Sequence, residues 1–322
     1  MQLPEFLEKQ IEQKIEKKQL KVLKEKANRL SSRYMTEERK GQTFLSSEDE
    51  VLAYAMIRMP ATYSAVATVL QQIKDKIEKV HSVLDIGAGT GAATWAICEK
   101  ISVEEITCAE REKEMSKLGK EWMAQHEILK KANWISCDVV KEEMPEEADL
   151  VISSYMLNEI PQEKRMELMK KMVKVAKDIL ILIETGTPAG FATIRAMQEM
   201  AVEKGYTILA PCIGQYKCPL PKEDWCHTTV RVARSKWHKY LKEGEAPYED
   251  EKFSYLVIAK KTKVNPKKEA RILRHPMIEK GKVTMKLCYH GVVLEKRITK
   301  KEKEQFKEAK KKNCGDCIKI EG

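Results

Sequence analysis

VLDIGAGTG, residues 83–91, decides the fold. Its first half is a short apolar run of strand character. Its second half carries Gly87, Gly89 and Gly91, with Asp85 two residues before the first of them. Glycine allows the positive φ of a tight strand-to-helix turn, and a missing side chain lets a ligand approach the backbone. The spacing is G-x-G-x-G, not the G-x-G-x-x-G of a dinucleotide site. A G-x-G alone is weak evidence, so its surroundings carry the weight.

Outward from that turn the chain alternates. EITCAE (105–110), ANWISCD (132–138), DLVISSYM (149–156) and ILILIE (179–184) are short apolar runs ending in polar residues. Helical periodicity fills 92–100, 112–131, 162–177 and 190–204. Strands alternating with helices predict a parallel sheet with crossovers on both faces, a Rossmann-like core over 81–205. Glu110 closes the second strand, Asp138 the third and Ser154 the fourth. A carboxylate after the second strand can accept from both hydroxyls of a ribose, and one after the third stands where an adenine amino group would lie. The alternative for Glu110 and Asp138 is capping of the helices that follow.

As a set, Asp85, the three glycines, Glu110, Asp138 and Ser154 resemble the class I S-adenosylmethionine (SAM) methyltransferases. The implied fold is α/β: a class I SAM sheet with a helical N-terminal region and a cysteine-rich, metal-binding insertion. SAM has no diphosphate to cradle, which suits the different glycine spacing. The stretch SSYMLNEI (153–160) lies where methyl-acceptor residues usually stand. It has no Pro-Pro-aromatic motif and no nucleophilic cysteine, so no catalytic residue is assigned; Asn158 and Glu159 are polar site groups or helix caps.

Residues 1–80 read as a helical preface. A charged helix is expected over 4–30, ended by Ser31-Ser32, with a loop over 33–46. Ser47 and Glu50 have capping-box spacing. The helix they start meets Pro60, expected to end or kink it, with a second helix over 61–78. After 205 the alternation stops. A cysteine-rich loop spans 206–240, and the final strands and a hairpin near Gly291 span 241–300. A basic tail covers 301–322.

Residues 260–312 hold 19 Lys or Arg against 6 Glu, which accounts for the whole net charge of +10. A concentrated basic stretch favours a polyanion through counterion release; a solvated tail is the alternative. No apolar run approaches the roughly 20 residues of a membrane span. The N-terminus fits neither a secretory signal nor a transit peptide, so a cytoplasmic protein with no membrane partner, acting as a monomer, is expected. Nine cysteines in such a chain argue for metal binding or reactivity rather than disulfides. Cys98, Cys108 and Cys137 sit in apolar runs and are expected to be core.

Cys212, Cys218 and Cys226 are different. They stand in ILAPCIGQYKCPLPKEDWCH, a Pro-rich loop without regular period. Convergent thiolates suit zinc or an iron–sulfur cluster. A fourth ligand is needed, from His227, Cys288, His290 or the terminal pair Cys314 and Cys317; the pair is expected on a mobile terminus.

AYAMIRMPATYSAV (53–66), the glycine turn, the PC…CPL…DWCH loop and KLCYHG (286–291) together resemble one family. It is the small-ribosomal-subunit methyltransferase-like family of bacteria and mitochondria, and the likeness runs over roughly 45–300. It implies a 4Fe–4S cluster on Cys212, Cys218, Cys226 and Cys288. It further implies association with the small ribosomal subunit and its rRNA, in ribosome assembly and translation, as a SAM-binding assembly factor or an rRNA methyltransferase. The family often has Pro-His after the first cysteine, where this chain has Ile213-Gly214. The resemblance leaves Cys314 and Cys317 unexplained. The alternative is a small-molecule or protein methyltransferase with a structural zinc loop.

Overall fold

The computed structural model describes residues 1–35, 47–77, 80–261 and 268–320. Most of the expected 33–46 loop, the end of the 61–78 helix, and Lys263 and Lys267 of the basic stretch lie outside the described residues. The chain divides into two compact units. One is Met1–Lys177 with Val230–Glu251; the other is Asp178–Thr229 with Lys252–Gly322.

The first unit begins with α1 (Glu5–Glu16) and α2 (Leu20–Met35). The single helix expected over 4–30 is therefore broken at Lys17. Helix α1 has only 12 residues, too few to be stable alone in water. It is held by burying Leu7, Ile11 and Ile15, one apolar stripe at i, i+4 spacing. Ser31 and Ser32 lie inside α2 rather than ending it. Helix α3 (Glu48–Ile73) starts at Ser47, whose side chain accepts the Glu50 amide at 3.3 Å, as the capping pattern predicts. Pro60 neither ends α3 nor divides it. Residues on every side of α3 are buried, so tertiary packing offsets the one backbone bond that proline removes.

Four parallel strands follow: β1 (Ser82–Ile86), β2 (Glu105–Ala109), β3 (Asn133–Ile135) and β4 (Ala148–Ser154). Their order is β3-β2-β1-β4. Helices α4 (Ala92–Lys100), α5 (Lys113–Met123) and α6 (Gln162–Val175) connect or follow them. All five residues of β1 are buried, as a central parallel strand requires. The chain leaves β1 toward β2 and β3, then returns to β4 on the other side. That reversal is the topological switch point where open α/β sheets bind ligands. Cys108 and Cys137 are buried as expected; Cys98 is half-buried.

Within the second unit, β5 (Ala176–Thr185) pairs antiparallel with β8 (Tyr248–Ala259), and β8 with β6 (Thr207–Ala210). Helix α7 (Pro188–Glu203) follows β5. Strand β7 (Thr228–Ala233) begins in this unit, and α8 (Lys236–Lys242) belongs to the first. A second sheet is built from β9 (Glu269–Ile272), β10 (Met277–Glu279), β11 (Lys282–Tyr289) and β12 (Val292–Thr299). Strands β11 and β12 form the expected hairpin, with Gly291 at φ +76° in its turn. The terminus is not a tail. Helix α9 (Lys303–Ala309) and β13 (Cys317–Lys319) pack on this sheet, Ala309 and Ile318 joining its core with Ile272, Met285 and Leu287. Strand β13 pairs with β9. No helix among the described residues is long and apolar enough to cross a membrane.

Candidate functional site

A cleft of about 740 Å³ opens at the carboxyl ends of the first unit's strands. The sequence expectation gathers there: Gly87, Gly89, Glu110, Asp138 and Ser154 all line it. Gly87, Gly89 and Gly91 have φ of +69°, +58° and +85°, the left-handed region that glycine alone enters without penalty. At Gly87 a Cβ would stand 2.6 Å from Met156 Cγ, so this position is closed to other residues twice over. Asp85 and Gly91 are not on the cleft wall. Asp85 is fully buried, its Oδ2 accepting from Thr94 Oγ1 at 2.7 Å while Oδ1 has no partner among the described residues. Burial pushes its carboxyl up to about 7.

The amides of the glycine turn are already engaged. Gly87 and Ala88 donate to the Ala109 carbonyl, Gly91 to that of Ala88, and Gly89 to Glu110 Oε2 at 2.7 Å. A phosphate cradle works through free N–H groups; this turn spends them on the end of the neighbouring strand β2 and the acid that follows it. Glu110 Oε1 also accepts the Glu112 amide at 2.8 Å. Asp138 Oδ1 accepts the Val140 amide at 3.1 Å. Both acids therefore cap the turns that follow and face the cleft as well, so the two roles are not exclusive.

Glu112 and Glu159 add two more carboxylates to the lining, against one cation, Arg111. Burial pushes Glu159 up to about 7. Asn158 is held by Arg165, which donates to its Oδ1 at 3.3 Å, and is not on the wall. An acid-rich cleft with a self-satisfied glycine turn suits a nucleoside that carries positive charge, and disfavours a diphosphate.

Sequence reasoning missed the wall built by Tyr54 and Tyr155. Tyr155 stands at φ +58° and donates its hydroxyl to Glu251 Oε1 at 2.8 Å. Arg58, one turn along α3 from Tyr54, meets the same carboxylate at 3.2 Å and lies over the Tyr155 ring. Tyr54 and Arg58 at i, i+4 were a readable signal; Glu251, almost a hundred residues from Tyr155, was not.

In the second unit, Cys212, Cys218, Cys226 and Cys288 line one apolar cleft of about 580 Å³. Cys212 follows β6, Cys226 precedes β7 and Cys288 lies on β11, so three separate segments deliver the sulfurs. Leu220, Leu273 and Phe191 pack around them. The thiols of Cys212 and Cys288 are hydrogen-bonded, which holds Cys288 below the ordinary thiol range and pushes Cys212 well above it. Burial raises Cys218 to about 11. Arg271 Nε donates to Cys226 Sγ at 3.2 Å. The loop is pinned from outside the cleft as well, by Trp225 Nε1 on the Gly186 carbonyl and by Asp224 against Arg274 and Lys286. His227 and His290 do not line this cleft; Cys314 Sγ instead donates to the Leu273 carbonyl at 3.3 Å. Among the described residues no group of three or more His, Cys, Asp and Glu is arranged to hold a metal ion.

No curated protein matches the chain. Solved structures resembling it include a protein of Pyrococcus horikoshii provisionally described as an RNA methyltransferase. That match has 17% identity and a TM-score of 0.42, covering 61% of this chain and 83% of that one. Another is the magnesium protoporphyrin IX methyltransferase of Synechocystis with bound SAM, at 12% identity and TM-score 0.41, covering 73% and 96%. A family described as mitochondrial small ribosomal subunit Rsm22 matches residues 48–319, a span that takes in α3, the glycine turn, all four cleft cysteines and β13. The chain belongs to the Rsm22 family.

Proposed function

We propose that the chain binds SAM in the cleft of its first unit and acts on the small ribosomal subunit, with rRNA as the surface it recognises. The observation that carries this is the acid-lined cleft with its self-satisfied glycine turn, in a chain matched to Rsm22 over 48–319. Glu110 stands where ribose hydroxyls are held and Asp138 where the adenine amino group lies. Asp85, buried beneath, accepts from Thr94 of the helix that follows the turn. The sulfonium charge of SAM suits the carboxylates around it.

Cys212, Cys218, Cys226 and Cys288 are the ligands of a 4Fe–4S cluster in this reading. The donor set fits: four thiols on one apolar cleft beside a buried guanidinium. A single zinc ion on the same four thiols is the alternative, and counting iron and sulfide in protein purified without oxygen separates the two. Four thiolates leave no open iron, so the cluster is structural or sensing. The family name is that of a mitochondrial protein, so the cytoplasmic expectation holds only for a chain serving a ribosome of that compartment.

Binding of the purified chain to small-subunit rRNA, measured at 50 and 200 mM salt, tests the partner. Affinity should fall on the order of 10³-fold between them, if at least six phosphates are contacted. No affinity at the lower salt removes the rRNA reading. Labelled SAM with immature small subunits then separates an enzyme from a SAM-binding assembly factor: methyl incorporation abolished by Glu110→Ala identifies the enzyme.

A further inference from the structure

Arg271 is only 3% exposed, and every hydrogen bond it makes ends on sulfur or a neutral oxygen. Its Nε donates to Cys226 Sγ at 3.2 Å. One Nη donates to the Gly315 carbonyl at 3.0 Å, the other to Thr228 Oγ1 at 2.7 Å and the His227 carbonyl at 3.4 Å. Its guanidinium carbon lies over the Tyr255 ring, 5.5 Å from the centroid. Among the described residues no carboxylate pairs with it.

A guanidinium stays charged at every accessible pH. A buried charge with no counter-ion is strongly disfavoured, so burial of this one requires negative charge nearby. The ionisable groups within reach are sulfurs and the Tyr255 phenol, and burial pushes that phenol up, which keeps it neutral. Cys226 is in direct contact. Cys288 is the partner of Arg271 across β9 and β11, and Cys317 its partner across β9 and β13. Partners in antiparallel strands point to one face of the sheet, so Arg271 stands in a row between two cysteines and reaches a third.

We infer that Arg271 is a positioning residue for the thiolate site. Its fixed charge compensates the negative charge of the thiolates and their cluster, and its N–H···S bond to Cys226 raises the cluster's reduction potential. The inference rests on the reading of these cysteines as cluster ligands. Reduction adds one electron and one negative charge; a cation and an N–H donor at a ligand sulfur stabilise the reduced form more than the oxidised one. A residue that only stapled the Cys226–Thr228 segment to Gly315 would lose stability on replacement and leave the potential alone.

The test uses the full chain, purified without oxygen, as wild type, Arg271→Lys and Arg271→Met. Iron and sulfide are counted first. The reduced cluster is then followed by electron paramagnetic resonance during a mediated dithionite titration. In Arg271→Met the oxidised-to-reduced ratio at fixed potential should rise about tenfold, which is ~59 mV for one electron. Arg271→Lys keeps the charge but not the planar fork, and should rise about threefold. It also decides the matter should Arg271→Met not fold. Variants with full iron and the wild-type potential overturn the role of Arg271. Wild-type chain without iron or sulfide overturns the cluster reading itself, and the inference with it, before any variant is made.

Discussion

Glu110 Oε2 accepts the backbone amide of Gly89 at 2.7 Å, tying the acid after β2 to the turn after β1. One side chain thus shapes the glycine turn and presents a carboxylate to the cleft. Glu110→Gln keeps the shape but can no longer accept through both oxygens. SAM affinity should fall at least tenfold, read by calorimetry, and the unfolding midpoint should fall less than in the alanine variant, because only one of the two backbone amides loses its acceptor. Glu110→Ala should also leave the Gly89 and Glu112 amides without their acceptor and lower stability by about 1–3 kcal/mol. Wild-type SAM affinity in the Gln variant would remove Glu110 from the binding site.

Asp85 makes stability depend on pH in a definite direction. Burial raises its folded pKa to about 7, against about 3.9 in an unfolded chain. The folded state therefore holds this proton more tightly, and the stability that the proton supplies is full below pH 4. It is lost as pH rises from about 4 to about 7 and is constant above. Glu159, also raised to about 7, adds the same slope. Asp85→Asn removes one contribution. Denaturant unfolding between pH 5 and 8 should show the variant gaining on wild type by at most about 3 kcal/mol. A difference that stays flat across that range would mean Asp85 is ionised at pH 5 in the folded state.

Most of the sheet was legible because its signals are local. Val83, Leu84 and Ile86 around Asp85, followed by Gly87, Gly89 and Gly91, specify strand and turn from adjacent positions. Helix α4 falls on 92–100 as periodicity predicts. Pro60 misled because its penalty is local while the packing that outweighs it is not: α3 is buried along its length. The terminus misled for the same reason. Nothing between Lys300 and Lys319 announces a partner, yet β13 pairs with β9, some fifty residues earlier, and leaves Cys314 2% exposed. In the cleft, the acids at strand ends were readable, whereas the Arg58–Glu251–Tyr155 contact joins three distant segments. The gathering of four cysteines was implied by resemblance. The arginine in their midst had no signal, because a lone Arg in a basic stretch looks like surface charge.

Gly87 and Gly205 separate two reasons for glycine. Both have positive φ, +69° and +73°. A Cβ at Gly205 meets nothing within 4 Å, while at Gly87 it meets Met156 Cγ at 2.6 Å. Gly205→Ala should lose about 1–2 kcal/mol from backbone strain alone and leave SAM binding intact. Gly87→Ala should lose more, and SAM affinity should drop, because Met156 lines the same cleft and has to move. Equal affinity in the two variants would show that Met156 makes room without disturbing the ligand.

The cysteines divide by what their sulfurs already do. Cys212, Cys218, Cys226 and Cys288 face one cleft, and two of them hydrogen-bond each other. Cys314 is buried but turned away: its Sγ donates to the Leu273 carbonyl and stands 3.9 Å from His227 Nε2. Replacing any one of the four by serine should remove most iron and sulfide and bleach the broad visible absorption of protein purified without oxygen. Cys314→Ser should keep the full content, since serine can still donate to Leu273 and no cleft sulfur is lost. A bleached Cys314→Ser, or a Cys218→Ser with full iron, would require a different set of four, with Cys314 entering from beside His227.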